Sequence, residues 1–187
     1  MLLERLRNET QPHHQLLEAD LDLLNPRFTL ADYQTLLLRF FGYYAPWEDQ
    51  VYAFDPCLLL GRSKSALLIA DLQYLGTVPP GSGNATLCDA LPALDTRARI
   101  LGSMYVIEGA TLGGQILRRE FVPKFGFNGD GCAFFTGYGN RTGQMWKQFG
   151  EVVNALPAKE TNAAVASAVA TFESMHAWLC VSRIGRE

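Results

Sequence analysis

The chain has 187 residues, 48% of them hydrophobic, which suits one domain (residues 1–187) with a continuous core. Sixteen basic residues against 19 acidic ones give a formal charge of −3, so the concentrated basic face that phosphate backbones require is missing. Nucleic acid is thereby excluded as the main partner, and so is a membrane span, because no apolar run approaches the roughly 20 residues needed.

The opening stretch, MLLERLRNE, carries charge where a secretory leader carries an apolar core, so a cytoplasmic address is expected. Leu2 to Leu24 has helical composition, with Leu6, Leu17, Leu21 and Leu24 near one face. Pro12 interrupts it. Either Thr10 caps a fresh helix there, or the helix kinks. Asn25-Pro26 ends the segment, and Thr29-Leu-Ala-Asp32 reads as a capping box opening a second long helix, which Pro46 should bend or break. A third helix is expected from Ser63 to Leu75, closed by Gly76. The stretch VPPGSGNATLCDALP reads as loop. Asp95 or Thr96 should cap a fourth helix running to about Phe121, followed by a glycine-rich loop, FGFNGDGCAFFTGYGN. A fifth helix is expected from Thr142 to before Pro157, and a sixth from Thr161 to about Cys180. No alternating pattern of strand length appears, so the fold class is all-α. Cys57, Cys88, Cys132 and Cys180 show no metal-ligand spacing and are expected to be buried thiols.

Two stretches carry candidate chemistry. On the first helix His14 shares a face with Arg7, Leu17 and Leu21, and Glu18 follows one turn later, where it can orient the imidazole. A neutral imidazole with a cation about 10 Å along the axis can ligate an iron and hold a carboxylate; the same pattern also fits a surface histidine pair. On the fourth helix Gly109, Gly113 and Gly114 lie inside a good helical sequence, at a cost near 1 kcal/mol each. Gly109 and Gly113 stack on one face, which admits either a flat ligand or a closely packed helix.

Together the two stretches resemble the haem oxygenase family. Leu6-Arg7, Thr10, His14 and Glu18 match its first helix, and Tyr105-Val106, Glu108-Gly109 and Leu112-Gly113-Gly114-Gln115 match its central helix. Phe134 to Gly139, Thr142-Gly143, Met145-Trp146 and Phe149 are similar to the bacterial branch that supplies biliverdin to phytochrome-type photoreceptors. The resemblance implies a multi-helix bundle with haem between the first helix and a glycine-kinked distal helix. It implies that His14 is the iron ligand and that Gly109 and Gly113 face the reacting side of the haem with bare backbone. It further implies that Arg7 and Lys147 hold the propionates, and that Glu18, Tyr105, Gly114 and Phe172 complete the haem contacts. The implied activity is oxidative opening of haem to biliverdin, with release of carbon monoxide and ferrous iron. Oxygen is consumed, and electrons come from a ferredoxin or reductase, since no flavin or dinucleotide fingerprint is present. A phytochrome-type receptor of the biliverdin is an implied partner. Two positions depart from the family: Ala110 stands where many relatives carry an aspartate that anchors water, and Glu151 replaces a second basic propionate ligand. Ala110 also leaves room for a haem-binding protein of the same fold that has lost turnover.

Overall fold

A computed structural model describes residues 1–77 and 86–180, and these are helical with no strand among them. Seven α-helices follow one another: α1 (Leu2–Leu21), α2 (Leu30–Phe54), α3 (Ser65–Tyr74), α4 (Arg97–Phe125), α5 (Ala133–Thr136), α6 (Thr142–Asn154) and α7 (Thr161–Cys180). Short 3-10 turns cover Pro56–Leu59, Gly139–Arg141 and Ala158–Glu160. The all-α expectation holds. No helix among the described residues is long and apolar enough to cross a membrane.

The chain divides into two compact units. The first contains α1, α4 as far as Leu112, and the described residues from Tyr138 to Cys180. Its helices are joined by polar contacts in ascending order. Arg5 Nη1 donates to Asn162 Oδ1 at 2.8 Å, and Asp20 Oδ2 lies 2.6 Å from His176 Nε2, so α1 and α7 run parallel. Ser167 Oγ donates to the Arg99 carbonyl at 2.7 Å, and Thr171 Oγ1 to Ser103 Oγ at 2.8 Å, so α4 runs with α7 as well. Asn154 Oδ1 accepts from the Leu3 amide at 3.0 Å, bringing the end of α6 to the start of α1.

Pro12 neither ends α1 nor makes Thr10 a cap. The Thr10 hydroxyl donates back to the Leu6 carbonyl at 2.8 Å, and the helix runs through to Leu21. Buried Leu6 and Leu17 on either side of the proline tie both halves to the core, and that burial outweighs the lost hydrogen bond.

The second unit holds Asp22 to Asp89 and Gly113 to Gly137. The expected capping box is present: the Asp32 amide donates to Thr29 Oγ1, and Asp32 Oδ2 accepts from the Thr29 amide. Pro46 does not break α2, which continues to Phe54. Helix α3 starts two residues later than expected and has no local cap; instead Glu48, buried on α2, accepts from the Lys64 and Ser65 amides and from Ser63 Oγ. Its end matches the expectation, with Gly76 at φ +67° and the Thr77 amide reaching back to the Leu72 carbonyl at 2.9 Å. Residues 78–85 of the expected loop lie outside the described residues; 86–92 are irregular. Thr96 Oγ1, one of the two candidate caps, accepts from the Arg99 amide at 3.3 Å.

Helix α4 passes the expected end at Phe121, runs through Pro123, and stops at Phe125 before Gly126. The extra turn carries Phe125 into an aromatic cluster. Its ring centroid lies 5.4 Å from Tyr33 and 5.6 Å from Phe121, while Phe121 stacks on Phe28 at 5.6 Å. Several such pairs, each contributing about 0.5–1.5 kcal/mol beyond area burial, offset a proline in the last turn. The glycine-rich loop contains α5, which the sequence does not announce because its cap is remote. Asp71 on α3 accepts from the Ala133 and Phe134 amides at 2.6 and 2.8 Å. Burial raises the Asp71 pKa, and those two amides pull it back. Beside it the buried Cys132 thiol is pushed up to about 11 by desolvation, leaving it inert. Cys88 is buried as expected, whereas Cys57 is exposed and Cys180 half-buried.

Candidate functional site

The first unit gathers most of the sequence-marked residues. Arg7, Thr10, His14 and Leu17 follow one another along one stripe of α1. Thr10 is buried and hydrogen-bonds the phenol of Tyr105 on α4, which places this stripe of α1 beside the middle of α4. Burial raises the Tyr105 pKa; the Thr10 hydrogen bond and the positive charge of Arg7 act the other way. Arg7 itself is exposed, so its guanidinium reaches solvent at the edge of this contact.

One turn beyond Thr10, the His14 side chain is 52% exposed. Its Nδ1 lies 3.4 Å from Glu18 Oε2, the partner expected from their spacing. Buried Phe172 of α7 meets the imidazole edge-on, with centroids 5.8 Å apart and planes at 87°. The carboxylate thus stands on the Nδ1 side of the ring, away from Nε2. Nε2 has no protein partner among the described residues. His13, by contrast, is half-buried and lies 3.8 Å from Glu173. The pair is thus split by helical phase: His14 lies beside Glu18 of its own helix and Phe172, and His13 is turned to Glu173 of α7. Among the described residues no cluster of three or more metal-ligating side chains occurs.

Helix α6 supplies the next wall. Trp146 lies 5.8 Å from Tyr105 and 5.7 Å from Phe149, centroid to centroid. A side chain added at Gly109 would meet the edge of Trp146 at 3.8 Å, an ordinary contact. Lys147, next in sequence, is exposed, as is Glu151 one turn later. The sequence reading gave Trp146 no role beyond its motif.

The glycines of α4 divide cleanly. Gly102 is jammed against α7, where a Cβ would sit 1.9 Å from the Ala164 carbonyl oxygen. Gly114, in the second unit, is buried against α5, with a Cβ position 2.9 Å from the Phe135 oxygen. Gly109 has only the Trp146 edge nearby, and at Gly113 a Cβ would meet nothing within 4 Å. The helix-packing alternative for Gly109 and Gly113 is therefore not supported, while packing does account for Gly114. Ala110 is exposed and brings no polar group.

One feature of the α4 motif escaped the sequence reading. Glu108 is buried, at 2% exposure, and both its carboxylate oxygens accept from the Tyr138 hydroxyl at 2.7 and 2.9 Å. Spacing alone cannot disclose this, because a glutamate in a helix reads as a solvated residue until its partner is placed.

The Heme oxygenase family model matches residues 1–180. The fold is similar to the heme oxygenase of Leptospira interrogans, with a TM-score of 0.77 at 18% identity over 96% of this chain and 98% of that one. It is similar also to the NO- and CO-bound heme oxygenase of Neisseria meningitidis, with a TM-score of 0.75 at 20% identity over 96% of this chain and 90% of that one. At such identities the likeness is one of fold. No curated protein sequence matches the chain significantly. The family match covers nearly the whole sequence, and the chain belongs to the haem oxygenase family.

Proposed function

We propose that the protein is a haem oxygenase that opens haem to biliverdin, with release of carbon monoxide and ferrous iron. Molecular oxygen and electrons from an external ferredoxin or reductase are consumed. The observation that carries the reading is His14: exposed, with Glu18 3.4 Å from Nδ1, flanked by Phe172, and open at Nε2. The residues present fit haem, since an aromatic edge, an exposed imidazole, two exposed cations and a helix face without side chains are what a flat dianionic ligand requires.

Haem, when bound, supplies the iron that activates oxygen and is itself the molecule oxidised. His14 binds the iron as a neutral ligand through Nε2, and Glu18 holds the ring in the tautomer that permits this. Arg7 and Lys147 bind the propionates through charge-assisted hydrogen bonds and so fix the rotation of the ring plane. Phe172 and Tyr105 exclude water from its sides. Gly109 and Gly113 present bare backbone, so no side chain obstructs the small reactant or shields the ring from attack. With Ala110 in place of an aspartate, the water that delivers protons has no carboxylate from that position to hold it. A catalytically silent haem binder is the second reading, favoured by Ala110 alone. A cytoplasmic setting and a phytochrome-type receptor for the biliverdin complete the proposal.

The test adds hemin to the purified protein, then a reductant in air, and follows the visible spectrum. A Soret band that gives way to biliverdin absorption is expected. A stable Soret band without product leaves the silent binder, and no band at all overturns both readings. His14→Ala should abolish the ferric spectrum and turnover, with partial restoration by added imidazole, whereas His13→Ala should leave the ligand signature in place. Charge removal at Arg7 or Lys147 should weaken binding or mix the biliverdin isomers; unchanged affinity with a single unchanged isomer for both variants counts against their roles.

A further inference from the structure

We infer that Glu108 and Tyr138 are positioning residues, forming a tie that holds the Gly109 backbone where ring opening needs it; this rests on the proposed function. Burying a carboxylate is costly unless hydrogen bonds replace its water, yet Glu108 sits at 2% exposure immediately before the glycine. The Tyr138 hydroxyl lies 2.7 and 2.9 Å from its two oxygens, within reach of a charge-assisted bond. On the main-chain side, the Thr111 hydroxyl donates to the Glu108 carbonyl at 2.6 Å. Glu108 is thus held at both ends, side chain and backbone. Gly109 follows it with no side chain to lock its own position, and glycine is the weakest ordinary helix former.

The far end of the tie matters as much as the near one. Tyr138 stands directly before the 3-10 turn Gly139–Arg141 that leads into α6, and α6 carries Trp146, whose edge faces Gly109, and Lys147. The tie therefore joins the bare face of α4 to the element that brings the nearest aromatic wall and a propionate-binding cation. A tie that served stability alone could be placed anywhere along α4. This one is adjacent to the glycine that must not drift.

The experiment compares Tyr138→Phe and Glu108→Gln with the parent. Phenylalanine keeps the ring and removes only the donor. Glutamine keeps a carbonyl oxygen that still accepts from Tyr138. In the haem-free protein, amide hydrogen exchange at Gly109 to Thr111 should quicken by at least about tenfold in Tyr138→Phe, the factor set by loss of a hydrogen bond to a charged group. In hemin-loaded, reduced protein under carbon monoxide, the C–O stretching band should shift or broaden, and turnover should fall with hemin affinity held. Glu108→Gln should lie between this variant and the parent on all three measures. Exchange and stretching band both unchanged in Tyr138→Phe would overturn the inference. So would faster exchange spread evenly over the chain with a matching drop in melting temperature, since that marks a purely structural bond. If the parent binds no hemin, the proposed function falls, while the exchange measurement still decides whether the tie holds Gly109.

Discussion

Helix α4 carries two kinds of glycine, and the contrast between them bears most on function. Gly102 and Gly114 are closed positions, each pressed on a neighbouring backbone that a single carbon would strike. Gly109 and Gly113 are open positions, where the same carbon would meet an indole edge at 3.8 Å or nothing within 4 Å. All four lie inside one continuous helix and all four forgo helix propensity. At the closed pair the loss is offset by close packing. At the open pair no neighbouring backbone among the described residues stands within 4 Å of that carbon, as the proposed ligand-facing role requires.

The comparison breaks most visibly at Gly102. A Cβ 1.9 Å from the Ala164 oxygen cannot be relieved by turning a side chain, because both partners are backbone. Gly102→Ala should cost about 3 kcal/mol or more, toward the upper end for overpacking. For a chain of this length that lowers the melting temperature of the haem-free protein by roughly 6–12 °C. A melting curve within a degree or two of the parent would mean that α4 and α7 approach less closely than described.

Local signals survived translation from sequence to structure, and remote ones did not. The Thr29–Asp32 capping box and the Gly76 terminus each close within a few residues, so pattern alone reveals them. Pro12 and Pro46 were expected to disturb their helices, yet α1 and α2 run through them because packing on both sides holds the turns. Helices α3 and α5 receive their caps from Glu48 and Asp71 across the fold, which no window of sequence can show. The site divides in the same way. His14 with Glu18 is a one-turn spacing and was legible; the Phe172–His14 contact joins α7 to α1 and no spacing discloses it; the Glu108–Tyr138 bond spans 30 residues and was invisible.

Gly114 offers an intermediate case. Its Cβ position is 2.9 Å from the Phe135 oxygen, but α5 is only one turn long and can give way. It is tied to α4 through Gln115 Nε2, which donates to the Thr136 carbonyl at 2.6 Å, and Arg118 Nε, which donates to Thr136 Oγ1 at 3.0 Å. Gly114→Ala should therefore cost about 1–2 kcal/mol, a loss of roughly 2–8 °C. Unchanged melting with impaired hemin binding would move Gly114 from packing to the ligand face.

At Gly113 the expected change in stability is smallest, and its sign matters more than its size. Alanine is the better helix former by about 1 kcal/mol, and here it enters open space, so the haem-free protein should hold its stability or gain up to about that amount. A gain of 1 kcal/mol corresponds to roughly 2–4 °C in a chain of this length. Gly109→Ala should behave alike with a smaller gain, because the new methyl touches Trp146 at an ordinary contact distance. If the proposed function holds, biliverdin yield should fall in both variants, since the methyl would occupy the face proposed to meet the ligand. A stabilised protein with impaired turnover is the signature of an open glycine, as a destabilised one is of a closed glycine. Melting of the haem-free variant is read beside biliverdin formed per folded molecule. Lost stability with full activity in the folded fraction would place Gly113 with the closed pair and remove the bare face from the mechanism.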